Sequence, residues 1–149
     1  MASAWHWVTI GTADMEAALD FWVDRLGFEC VARTEGDDPG LREHWGVSDR
    51  QIARQAMVRS AGAENGSMHL VEWDLAAESV RAEAQVFDLC PKNLDIYVDE
   101  LPVRMAQLTE QGVVFRNEHY SEAVSPDGVH FREIHLAGHD DINIVLLQV

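Results

Sequence analysis

Only 2 cysteines, 4 prolines and 11 basic residues occur among 149, and each scarcity removes a class of protein. Cys30 and Cys90 are far apart, stand in apolar contexts and belong to no Cys-x-x-Cys or Cys/His cluster, so buried reduced thiols are expected rather than a disulfide framework. No window reaches the roughly 18 apolar residues of a membrane span. The opening residues carry no basic patch or long apolar run, and the expectation is a cytoplasmic protein without a membrane partner. With 26 acidic residues against the few basic ones, the net charge is -15, a field that repels phosphate backbones and attracts cations. Nucleic acid is thereby excluded as a partner. Solubility accounts for most of this charge, and a cationic ligand is the functional reading beside it. The chain also lacks a nucleophile elbow, a Gly-rich phosphate loop and a Cys/His dyad, so acyl transfer and nucleotide chemistry have no support.

What the chain does have is a repeat. The series Trp7-Val8-Thr9-Ile10, Asp14-Met15 and Leu26-Gly27-Phe28 is echoed by Asn93-Leu94-Asp95-Ile96, Glu100-Leu101 and Gln111-Gly112-Val113. Further on, Ala61-Gly62 with Met68-His69-Leu70-Val71-Glu72 returns as Ala137-Gly138 with Ile144-Val145-Leu146-Leu147-Gln148. Two copies of one supersecondary unit are expected, residues 5–73 and 87–149 joined by a linker at 74–86, within one compact domain. In such pairs the functional site usually lies where the copies meet.

Periodicity assigns the elements. Trp5 to Ile10 alternates as a strand, with Trp5, Trp7 and Thr9 on one face and His6, Val8 and Ile10 on the other. Met15, Ala18, Leu19, Trp22 and Leu26 recur at helical spacing, with Thr12 or Asp14 as cap and Gly27 as stop. Strands are expected at Phe28–Glu35, Ile52–Ser60 and Ser67–Trp73, with a helical turn near Leu41–Trp45. The linker shows no strong periodicity, with helix left open. The second copy predicts a strand at Asn93–Val98, a helix from Leu101, and strands at Val113–Glu118, Phe131–Leu136 and Ile142–Val149. The order is βαβββ twice, an α+β fold.

This ordered set resembles the vicinal oxygen chelate superfamily of glyoxalases, bleomycin-resistance proteins and extradiol dioxygenases. The resemblance rests on Phe21-Trp22 before Leu26-Gly27-Phe28 and on Ser125-Pro126-Asp127-Gly128 late in the second copy, and it covers almost the whole chain. It implies curved sheets forming a cup, a homodimer, and a divalent metal held by four inward side chains. Those four positions fall here on Trp7, His69, Asn93 and Val145. Only His69 is a good ligand, so the set is expected to hold metal poorly and no cofactor is expected. His6 beside Trp7 is read as a packing histidine on the helix side of its strand. A β-bulge turning it inward would give the alternative, a divalent metal bound by His6, His69 and Glu133.

The inward faces then define the candidate site. Trp5, Trp7, Thr9 and Trp73 form aromatic walls, while Asn93, Glu133 and His135 add polar groups, a composition suited to a planar aromatic ligand. For metal-free chemistry, His69 with Asp95 or Tyr97 is the inward set with suitable acid–base character. The expected function is a metal-free binder of an aromatic small molecule, for sequestration or for metal-independent isomerisation or cyclisation in a biosynthetic pathway. The alternative is a metal-dependent lyase, epimerase or ring-cleaving dioxygenase.

Overall fold

Alternation at the start of the first copy produces β1 (Trp7–Thr12), exposed at Trp7, Thr9 and Gly11 and partly covered at Val8 and Ile10. The computed structural model describes residues 6–84 and 93–149, so Trp5 lies outside the described residues. Asp14 caps the following helix, its carboxylate accepting from the backbone N–H of Glu16 at 2.9 Å and of Ala17 at 3.2 Å. Helix α1 (Met15–Leu19) continues as a π-helical segment, Asp20–Arg25, in which Leu26 N–H donates 3.0 Å to the carbonyl of Phe21, five residues back. The sequence predicts one regular helix here; the structure widens its second half, and the neighbouring rings of Phe21 and Trp22 are both buried. Gly27, at φ 79°, ends the helix in the left-handed region that its missing Cβ permits.

Strands β2 (Phe28–Glu35), β3 (Ile52–Ser60) and β4 (Ser67–Trp73) complete a sheet ordered β1-β4-β3-β2, with β1 parallel to β4 and the other pairs antiparallel. One face packs on the helix: Ala56, Val58, Met68 and Leu70 are buried with Met15, Ala18 and Trp22. Each large side chain buried there contributes about 1.5–3 kcal/mol. The connection between β2 and β3 holds α2 (Pro39–Trp45), capped by Asp38, whose carboxylate accepts from Leu41 N–H at 2.9 Å. Because β2 is an edge strand exposed along its length after Phe28, Cys30 is exposed. That corrects the expected burial of its thiol; Cys90 lies outside the described residues.

The second unit repeats the plan with β5 (Leu94–Tyr97), α3 (Leu101–Glu110), β6 (Ser121–Val124), β7 (His130–Ala137) and β8 (Asn143–Gln148), ordered β5-β8-β7-β6. The two compact units are Met1–Glu78 and Ser79–Val149, and the α+β class with two βαβββ modules matches the periodicity. The predicted strand at Val113–Glu118 is absent. Phe115 makes one bridge to Leu136, after which the chain loops out and regains pairing where Ser121 meets Glu133. Six residues on the edge thus span three on β7 (121 − 115 against 136 − 133), so a continuous ladder cannot form. In the linker, residues 80–83 form turns, with Ala84 N–H donating 3.0 Å to Arg81 C=O, and no helix occurs among its described residues, 74–84.

Candidate functional site

Register fixes which side chains share a face. Thr9 stands beside His69 across the β1–β4 pair, and His69 beside Met57 across β3–β4, so Trp7, Thr9, His69 and Trp73 lie on the sheet face opposite the helical core. Trp7 is 52 % exposed. Helix α2 adds a ring that the sequence reading did not select: the Trp45 centroid lies 6.1 Å from His69 and 6.2 Å from Trp73. A shallow cleft of about 130 Å³ opens beside His69, lined by residues 32–34 and 55–57. Complete ligand sites run to roughly 300–1,000 Å³, so this cleft has the size of a subsite.

His69 Nε2 donates to Gln55 Oε1 at 2.9 Å, the tautomer that an acceptor oxygen requires. Partial burial pushes its pKa below the ordinary 6.5 by disfavouring the charged ring. The hydrogen-bond partner of the ring is therefore an amide. Gln55, like Trp45, was missed because its role depends on cross-strand register that one strand's alternation does not reveal.

In the second unit, Asp95, Val145 and His135 form one row across β5, β8 and β7, and Tyr97, Leu147 and Glu133 the next. Tyr97 is 74 % exposed, and the Asn93 amide donates to the Asp95 carboxylate. His135 Nε2 lies 3.8 Å from Glu133 Oε1, and His135 Nδ1 lies 3.1 Å from the amide nitrogen of Asn143. Asn143 Oδ1 in turn accepts from Arg116 Nε at 2.8 Å. Of the trio read from the sequence, His69 belongs to the first sheet and Asp95 and Tyr97 to the second.

The donor set at the four family positions does not fit a divalent metal. Trp7 and Val145 offer no ligand atom and Val145 is buried, which leaves one imidazole, His69, and one neutral amide oxygen, Asn93, too few donors for a stable site. The β1–β4 register runs unbroken from Trp7 opposite Ser67 to Thr12 opposite Glu72, and just before it the His6 carbonyl accepts from Gly66 N–H at 3.2 Å and Ser67 N–H at 3.1 Å. His6 is exposed, with Nδ1 3.4 Å from Asn65 Oδ1, which also corrects its reading as a packed residue. Among the described residues, no group of three His, Cys, Asp or Glu is placed to hold a metal ion, and no helix is long and apolar enough to cross a membrane.

Two four-stranded sheets, each with its own βαβββ unit, define the vicinal oxygen chelate fold. The sequence model of the Glyoxalase/Bleomycin resistance protein/Dioxygenase superfamily matches residues 4–118, and the chain belongs to that superfamily. Among solved structures it is similar to a glyoxalase family protein from Bacillus cereus, 16 % identical, covering 99 % of this chain and 95 % of that one at a TM-score of 0.80. It is also similar to TnmS3, an antibiotic binding protein from a Streptomyces species, 23 % identical over 99 % of this chain and 96 % of that one, TM-score 0.64. A superfamily member from Sphaerobacter thermophilus is 22 % identical over 99 % and 98 % of the two chains, TM-score 0.57. At such identities the likeness establishes the fold. Comparison with curated proteins yields no match.

Proposed function

We propose that the protein holds a planar aromatic small molecule without a metal and serves to sequester it. The observation that carries this reading is the aromatic face of the first unit, where exposed Trp7 shares a sheet surface with His69 and Trp73 and α2 adds Trp45. Rings of this kind grip a flat ligand by stacking over large area at low entropic cost. His69, paired to Gln55 rather than to a carboxylate, is a recognition group in this reading, not the base of an isomerase or cyclase. The net charge of -15 favours a cationic ligand. That a similar Streptomyces protein is an antibiotic binding protein supports the same reading. The proposal includes a homodimer, as the superfamily resemblance implies, and a cytoplasmic location, as the opening residues and apolar pattern suggest. Titration with acridine orange, a planar aromatic cation, tests it: saturable quenching of tryptophan fluorescence is expected, and linear, non-saturating quenching contradicts it.

A further inference from the structure

The polar chain on the second unit carries more information than its distances. Arg116 Nε can only donate, so the Asn143 atom 2.8 Å away must be the amide oxygen. The amide nitrogen then faces His135 Nδ1 at 3.1 Å, and since that nitrogen can only donate, Nδ1 must accept. The one proton of the neutral ring therefore sits on Nε2. Nε2 is 3.8 Å from Glu133 Oε1, too far for a direct hydrogen bond, yet a single oxygen can bridge the two. Both side chains are reachable, at 33 % and 28 % exposure.

We propose that His135 and Glu133 form a recognition site for a ligand hydroxyl, with Arg116 and Asn143 as positioning residues that fix the imidazole tautomer. A hydroxyl satisfies both partners at once, accepting from Nε2–H through a lone pair and donating its own proton to the Glu133 carboxylate. A carbonyl or ether can only accept, which leaves two acceptors opposed at Glu133. An ammonium can only donate, which leaves two donors opposed at Nε2. A phenol is the favoured class, because its acidic O–H strengthens the bond to the carboxylate and because exposed Tyr97 lies in the row of Glu133, two strands away beyond Leu147.

This inference rests on the small-molecule reading above and names a functional group for it. It concerns the second unit, whereas Trp7 and His69 belong to the first, so the two can fail separately. The test is a ring-nitrogen NMR titration of the full chain with phenol and, in parallel, anisole. The expected result is a protonated Nε2 at His135 that shifts saturably with phenol at least 10-fold more tightly than with anisole. Glu133→Met should remove that preference. Arg116→Met should release Asn143 and mix the two tautomers of His135, while Arg116→Lys restores the Nε2–H form in part; a purely structural arginine would leave the ring signature alone. Equal responses to phenol and anisole, no response to either, or a proton on Nδ1 overturns the proposal. If phenol fails while acridine orange still quenches tryptophan saturably, only the hydroxyl site is lost. If phenol binds and acridine orange does not, the aromatic wall is lost instead.

Discussion

His69 Nε2 lies 2.9 Å from Gln55 Oε1, both on the sheet face that the helices of the core leave uncovered. A neutral amide partner adds no charge to favour the imidazolium, so partial burial decides the direction and the pKa falls below 6.5. A folded-state value below the unfolded one means that the stability is present above 6.5 and is lost as pH falls through the folded value, where the unfolded chain binds the extra proton. A carbon-detected NMR titration should find His69 neutral at pH 7 and titrating below 6.5. Melting curves of His69→Gln should lose part of the wild-type decline on acidification. A midpoint at or above 6.5 contradicts this account.

Trp7 and Trp22 should behave oppositely when truncated, because one is 52 % exposed and the other 1 %. Trp7→Ala is expected to weaken binding of a planar aromatic cation by about 1–2 kcal/mol. Its unfolding free energy should stay within about 0.5 kcal/mol of wild type. Trp22→Ala should cost about 3–5 kcal/mol of stability through the cavity it leaves. Calorimetric titration together with urea unfolding separates the two, and an unchanged affinity in Trp7→Ala would show that this ring is not part of the ligand's grip.

Each unit ties its first helix to its last strand by the same device. Glu72 Oε2 accepts from Met15 N–H at 2.9 Å, and Gln148 Oε1 accepts from Leu101 N–H at 3.0 Å. Glu72 also pairs with Arg54 at 2.6 Å, whereas Gln148 carries no charge. Glu72→Ala should therefore cost about 2–3 kcal/mol and Gln148→Ala about 1 kcal/mol. Equal losses in urea unfolding would mean that the Arg54 pairing contributes nothing.

The sheets were largely legible in the sequence because alternation and the internal echo point the same way. Phe28–Glu35, Ile52–Ser60 and Ser67–Trp73 appear with the bounds their periodicity gives. The β-branched and aromatic run Val113-Val114-Phe115 misled, since strand propensity is satisfied only where a partner lies in register, and the partner of β7's first half is Ser121–Val124. The π-helical turn was likewise invisible, because Met15, Ala18 and Leu19 set the period within the α-helical part and of that apolar series only Trp22 falls inside Asp20–Arg25. At the site, faces could be read but partners could not. Trp45 comes from a separate helix, Gln55 from a neighbouring strand and Arg116 from a loop, so their placement depends on tertiary register.

Binding of an aromatic ligand without a metal and without chemical change to the ligand can be measured in a single experiment. Protein treated with chelator and dialysed is titrated with acridine orange by calorimetry, and the ligand is recovered and compared by mass. The expected result is the same affinity as for untreated protein, an unshifted melting temperature and quantitative recovery of unaltered ligand. Loss of binding or a lowered melting temperature in chelator, restored by adding back a divalent ion, would contradict it, because a metal bound to the native state stabilises by mass action.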